Sequence, residues 1–180
     1  MQSDWAAPIL HYWFEELQPA AWFRKDERVD ATIGERFGAL YEQLAQIRPN
    51  QLAAPLESLA AVIALDQFPR NMFRGSPRAF ATDELALSIS QDAIAAGWDL
   101  QLTQQQRLFL YMPFQHSEDR AAQVRSIELF TQLGLADNLD YAQRHKNIID
   151  RFGRFPHRNA VLGRQSTTAE SEFIATHRGF

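Results

Sequence analysis

The residues able to do chemistry fall in three polar motifs and one isolated histidine. RFGRFPHRN, residues 151–159, gathers Arg151, Arg154, His157, Arg158 and Asn159 around two phenylalanines. MPFQHSE, residues 112–118, contributes His116 and Glu118, and DQFPRNMFR, residues 66–74, contributes Asp66, Arg70, Asn71 and Arg74. His145 lies just ahead of the first motif. Histidine changes charge close to neutral pH and so suits proton transfer. Arginine presents a planar fork that meets a carboxylate or phosphate with two parallel bonds. Together these types point to a bounded pocket for an anionic small molecule, with acid-base chemistry as its enzymatic extension. In that reading His116, His145 or His157 moves a proton and Asp66 or Glu118 orients it, while Arg70, Asn71, Arg74, Arg151, Arg154, Arg158 and Asn159 hold the ligand.

Each motif also has a structural reading. Asp66 follows Leu59 by seven residues, so it points where the apolar stripe of its helix points. A buried carboxylate needs a partner, and Arg70 or Arg74 would supply one. His145 shares a helical face with Tyr141, Ile148 and Phe152, where a histidine is either a hydrogen-bonded core residue or part of a site. Ser117 precedes Glu118 and Asp119, which reads as a helix cap, and no strand-turn-helix elbow surrounds it. His116, Glu118, His145 and His157 are suitable metal ligands by type. No HExxH or paired Glu-x-x-His spacing accompanies them, so no metal site is expected. The chain has no cysteine, which removes disulfides, thiolate metal sites and cysteine nucleophiles.

The formal net charge is -4 and the pI is about 5.7, yet residues 66–78 and 140–165 are both net positive, with arginine supplying every cation but Lys146. A nucleic-acid surface would show a broader, lysine-containing stripe, so nucleic acid and acidic membrane are disfavoured as partners. The alternative use of the arginines is to pair with Asp66, Glu118, Glu170 or Glu172 and stitch helices together.

The elements that must position these groups read as all-α. Val29, Ile33, Phe37, Leu40 and Leu44 recur at helical spacing, and no strand-like run appears. Asp4 is expected to cap the first helix, and Pro55 to open a third that shows Leu56, Leu59 and Ile63 before Pro69 stops it. Thr82 is expected to cap the next helix. Thr103 with Gln106 has capping-box spacing, and the helix they open should end near Pro113. Gly97 and Gly134 read as terminators, and a helix over about 138–152 leads into RFGRFPHRN. At 180 residues, 46% hydrophobic and 22% charged, one domain over 1–180 is expected. Short turns between helices suggest stacked antiparallel hairpins. The amino end has no basic stretch ahead of an apolar run, so a cytoplasmic location is expected.

DQFPRNMFR, MPFQHSE and HKNIIDRFGRFPHRNAVLGRQST together resemble the DUF924 family of bacterial proteins, from WFRKDERVD to the carboxyl end. The resemblance implies a tetratricopeptide-like, right-handed α-α superhelix. It implies no assigned activity, so no catalytic role is carried over to any residue. The fold it implies also supports a rival reading, an interaction module that holds a peptide on a helical surface with the polar motif purely structural. Cofactors and oligomeric state are left undetermined.

Overall fold

The structure, a computed structural model, describes residues 5–177, and every regular element among them is helical. In chain order the α-helices are α1 (Ala6–His11), α2 (Glu27–Leu44), α3 (Pro55–Val62), α4 (Phe68–Met72), α5 (Asp83–Ala95), α6 (Gln104–His116), α7 (Arg120–Leu133), α8 (Ala136–Phe152) and α9 (Thr168–Thr176). Two π-helical turns, Tyr12–Glu16 and Ile63–Gln67, extend α1 and join α3 to α4. The all-α reading therefore holds. None of these helices is long and apolar enough to cross a membrane. The expected cap at Asp4 lies outside the described residues.

The chain groups into two compact units. The first runs to Arg74 and resumes from Arg78 to Pro113, and the second takes Gly75–Pro77 and the chain from Phe114 onward. In the first unit the run from Ser58 to Pro69 is buried on every side, against the expected stripe, and Leu56 is instead half exposed. A helix enclosed by neighbours buries its whole circumference, and α3 packs on both α1 and α5 while α4 packs on α2. Ile33, Phe37 and Leu44 of α2 are buried as their spacing predicts, joined by Tyr41.

Neither Pro69 nor Pro113 stops its helix. Pro69 follows the π turn at a first-turn position of α4, where its missing N–H costs least. The Leu65 carbonyl, which a residue with an N–H at position 69 would have satisfied, accepts the Thr82 hydroxyl at 2.6 Å. Thr82 accordingly occupies the cap position of α5 without making the expected side-chain cap bond. Pro113 lies inside α6, and the Ser90 hydroxyl donates to the nearby Leu110 carbonyl at 2.8 Å.

Thr103 and Gln106 form the expected reciprocal box, at 3.0 and 3.3 Å. In the second unit Gly134, at φ 76°, turns α7 into α8 through a two-residue connection, and the two helices pack along each other. The cap of α7 is Asp119, which accepts from Ala122 N–H at 2.8 Å, rather than Ser117. Ser117 Oγ instead accepts the Asp119 N–H at 3.1 Å, one step earlier in the turn.

Candidate functional site

RFGRFPHRN is built outward from the end of α8. Gly153 adopts φ 70°, a left-handed conformation that side chains resist, and it turns the chain away from the helix axis. The next residues are then pinned by acids. Arg154 forks onto Glu170 at 2.7 and 2.8 Å and also donates to the Gln165 carbonyl at 2.8 Å. The Arg154 bonds and the Thr167 N–H push the Glu170 carboxyl down to about 2. Phe155 is fully buried, and its N–H donates to Glu118 Oε1 at 2.8 Å. Arg164 forks onto the same carboxylate at 2.7 and 3.0 Å and reaches the Phe155 carbonyl at 3.1 Å. Burial works to raise the Glu118 pKa, but the bonds from Arg164 and Phe155 outweigh it and the pKa falls below its ordinary value.

The buried Phe155 ring is the centre of a second arrangement. The His145 ring meets it edge-on at 5.5 Å, the His157 ring lies 5.6 Å away, and the Arg158 guanidinium sits 4.6 Å from its centroid. The His116 ring is 6.1 Å from that of His145. His145, 5% exposed, donates from Nδ1 to the Tyr141 carbonyl at 2.8 Å, which leaves the lone pair on Nε2. Its pKa is pushed down to about 3, first by burial and then by the positive charges of His116, Arg158 and His157, against the opposing effect of the Tyr141 carbonyl.

The last turn of α6 brings His116 to this cluster, and its carbonyls are held by side chains from elsewhere in the unit. Gln123 Nε2 donates to the carbonyls of Phe114, Gln115 and Ser117 at 3.4, 2.8 and 2.7 Å, and Arg158 Nη2 donates to that of His116 at 3.0 Å. A cation at a helix carboxyl end also meets the negative pole of its dipole. Sequence reasoning missed Gln123. The available signal was its place beside Ala122, Ser126 and Phe130 on the inner face of α7. Among the remaining expected residues of this unit, Asn159 donates to Ser166 Oγ at 3.0 Å. Arg151 is exposed and lies over Phe152 at 4.6 Å.

The first unit brings together the other expected residues. Asp66, on the π turn, is fully buried. Gln67 Nε2 donates to it at 2.5 Å, and Arg70 Nη1 stands 3.3 Å from its Oδ1. Arg70 also donates to the Asp66 carbonyl and forks onto Asp83 at 2.9 and 3.0 Å. Arg74, the other expected partner of Asp66, pairs with Asp30 at 2.5 and 2.8 Å, and Asn71 joins the same carboxylate at 2.8 Å. Burial raises the Asp30 pKa, but these bonds win and it is lowered. Asp30 also borders an open groove of about 400 Å³ with Gly34, Gly38, Glu42, Phe73 and Arg78. Among the described residues no group of three His, Cys, Asp or Glu side chains is placed to hold a metal ion.

A family described as "Bacterial protein of unknown function (DUF924)" matches residues 9–178. A solved structure of a protein of unknown function from Agrobacterium tumefaciens is similar at 39% identity and a TM-score of 0.90, over 96% of this chain and 97% of that one. No curated protein matches.

Proposed function

We propose that this chain, which belongs to the DUF924 family, binds a small anion at the cluster of His116, His145, His157 and Arg158. The observation that carries the reading is the gathering of His145, His157 and Arg158 around the buried Phe155 ring, with the His116 ring 6.1 Å from that of His145. Burial first, and then the positive charge of the neighbouring groups, holds the His145 imidazole in its neutral form. An anion lodged among them reverses the sign of the interaction. It would also raise the affinity of His145 for a proton, so that ligand binding and proton uptake are coupled at one imidazole. His116 and His157, both partly exposed, are the proton-transfer groups of the acid-base extension. Glu118 and Arg154 act through the turn, holding Phe155 and its neighbours in place. Asp66, Arg70, Asn71 and Arg74 are assigned to bracing the first unit. The α7–α8 hairpin supports the tetratricopeptide-like arrangement, which with a cytoplasmic location belongs to this reading.

Inorganic phosphate is the first probe. Because a ligand of the folded state alone raises apparent stability, phosphate at a hundred times its Kd should add about 2.7 kcal/mol and raise the Tm accordingly. The His116→Gln and His157→Gln proteins should fold and lose most of that shift. A Tm indifferent to phosphate and to a panel of carboxylates, or variants that respond as the unaltered protein does, would sink the proposal.

One observation favours the peptide-holding reading. Gly34 and Gly38 lie one turn apart in α2 on the groove, and a Cβ at either would meet nothing within 4 Å. Glycine within a helix costs about 1 kcal/mol relative to alanine, and here it leaves room for another backbone to approach. Saturable binding of a defined peptide, abolished by Gly38→Leu, together with no anion response, would select this reading.

A further inference from the structure

Two buried polar atoms of α7 have no hydrogen-bond partner among the described residues and lie one helical turn apart. Gln123 Oε1 and Ser126 Oγ belong to side chains that are both 0% exposed. Residues three apart in a helix share a face, with Cβ atoms about 5–6 Å apart, a span that one water molecule can bridge. The orientation of the Gln123 amide is not free to change: Nε2 must face the three carbonyls at the end of α6, because only the NH2 group can donate to them. Oε1 is therefore directed away from those carbonyls and keeps its acceptor capacity. A serine hydroxyl can donate and accept, so the pair is chemically complete for a neutral molecule that does both. Leaving buried polar atoms unsatisfied is costly, and internal water is the usual remedy at sites with polar partners.

We infer an internal water site in the second unit, bounded by Gln123 Oε1 and Ser126 Oγ, that anchors the glutamine clamp on the end of α6 beneath His116. The water donates to Gln123 Oε1 and exchanges a second bond with the Ser126 hydroxyl. Gln123 is thereby a positioning residue. It touches no ligand, but it fixes the backbone that carries His116.

The test needs no ligand, so it stands or falls apart from the phosphate reading. A high-resolution crystal structure should show ordered solvent at about 3 Å from both atoms. The Ser126→Ala protein should keep its helical circular dichroism while the amides of Phe114 to His116 exchange with solvent about tenfold faster. Amides near Ile148 in α8 should exchange as before. The Gln123→Met protein removes the clamp itself and should show a larger change at the same amides; if it does not fold, Ser126→Ala still decides. Unchanged exchange in Ser126→Ala overturns the inference. So does a structure in which Ser126 Oγ donates to the Ala122 carbonyl and no solvent meets Gln123 Oε1.

Discussion

The Asp66 network of the first unit and the Phe155 cluster of the second both bury ionisable side chains, but they balance charge differently. Around Asp66, carboxylate meets guanidinium: Arg70 serves Asp66 and Asp83, and Arg74 serves Asp30. Around Phe155, histidine meets histidine and arginine, while Glu118 and Glu170 of the same unit bind Arg164 and Arg154. Burial of opposite charges can hold a fold together, provided both partners stay. A buried imidazole held neutral far below its ordinary pKa takes no part in such pairing, and strongly shifted titratable groups of this kind mark functional sites, which makes the second region the stronger candidate for function.

The largest test removes one side of the first arrangement. Arg70→Met takes a guanidinium from two carboxylates and a carbonyl, and should cost about 3–5 kcal/mol in chemical denaturation. The same experiment tests the single-domain expectation, under which the two units unfold in one cooperative transition.

Acid should separate the regions next. The unfolded chain protonates His145 near its ordinary value of 6.5, whereas the fold holds it down to about 3. Its contribution to stability is therefore complete above pH 6.5 and is lost as the pH falls from there toward 3, by at most about 1.4 kcal/mol per pH unit. Between pH 6.5 and 5 the loss should approach about 2 kcal/mol, and His145→Gln should flatten it. Glu170 has its carboxyl lowered from 4.5 to about 2, so it adds a further loss only below pH 4.5. A stability curve with the same slope in His145→Gln would remove the contrast.

Glu118→Gln probes the brace between the ion-paired residues and the histidine cluster. It weakens the Arg164 fork and keeps an acceptor for the Phe155 N–H, so about 1–2 kcal/mol of stability should be lost. The phosphate response should weaken without vanishing, since His116, His145, His157 and Arg158 all remain. The smallest effect is expected at Arg151, which is exposed against Phe152. Arg151→Ala should change stability by under about 0.5 kcal/mol and leave the phosphate-induced Tm shift intact.

Much of this was legible before any coordinates. Helical periodicity reports which side of a segment is apolar, so it found α2 and α8, and residue type found the terminators Gly97 and Gly134, both with positive φ. It could not see that α3 is enclosed on all sides, because an all-round apolar helix has no stripe to read. Nor could it place Pro69 and Pro113 inside helical runs. The hydroxyls that meet the neighbouring carbonyls, those of Thr82 and Ser90, lie 17 and 20 residues from their acceptors. Local rules assign such hydroxyls to caps because that is the nearest backbone in sequence.

The candidate residues divide the same way. Residue types and their clustering singled out His116, His145, His157 and Arg158, and they marked Asp66 as a carboxylate in need of arginine. Which arginine meets which acid was beyond sequence: Arg74 chose Asp30, 44 residues away, and Arg164 chose Glu118, 46 away. Composition fixes how many charges must be matched, and periodicity fixes which point inward. Only tertiary packing brings distant segments within the few ångströms over which a buried charge selects its partner.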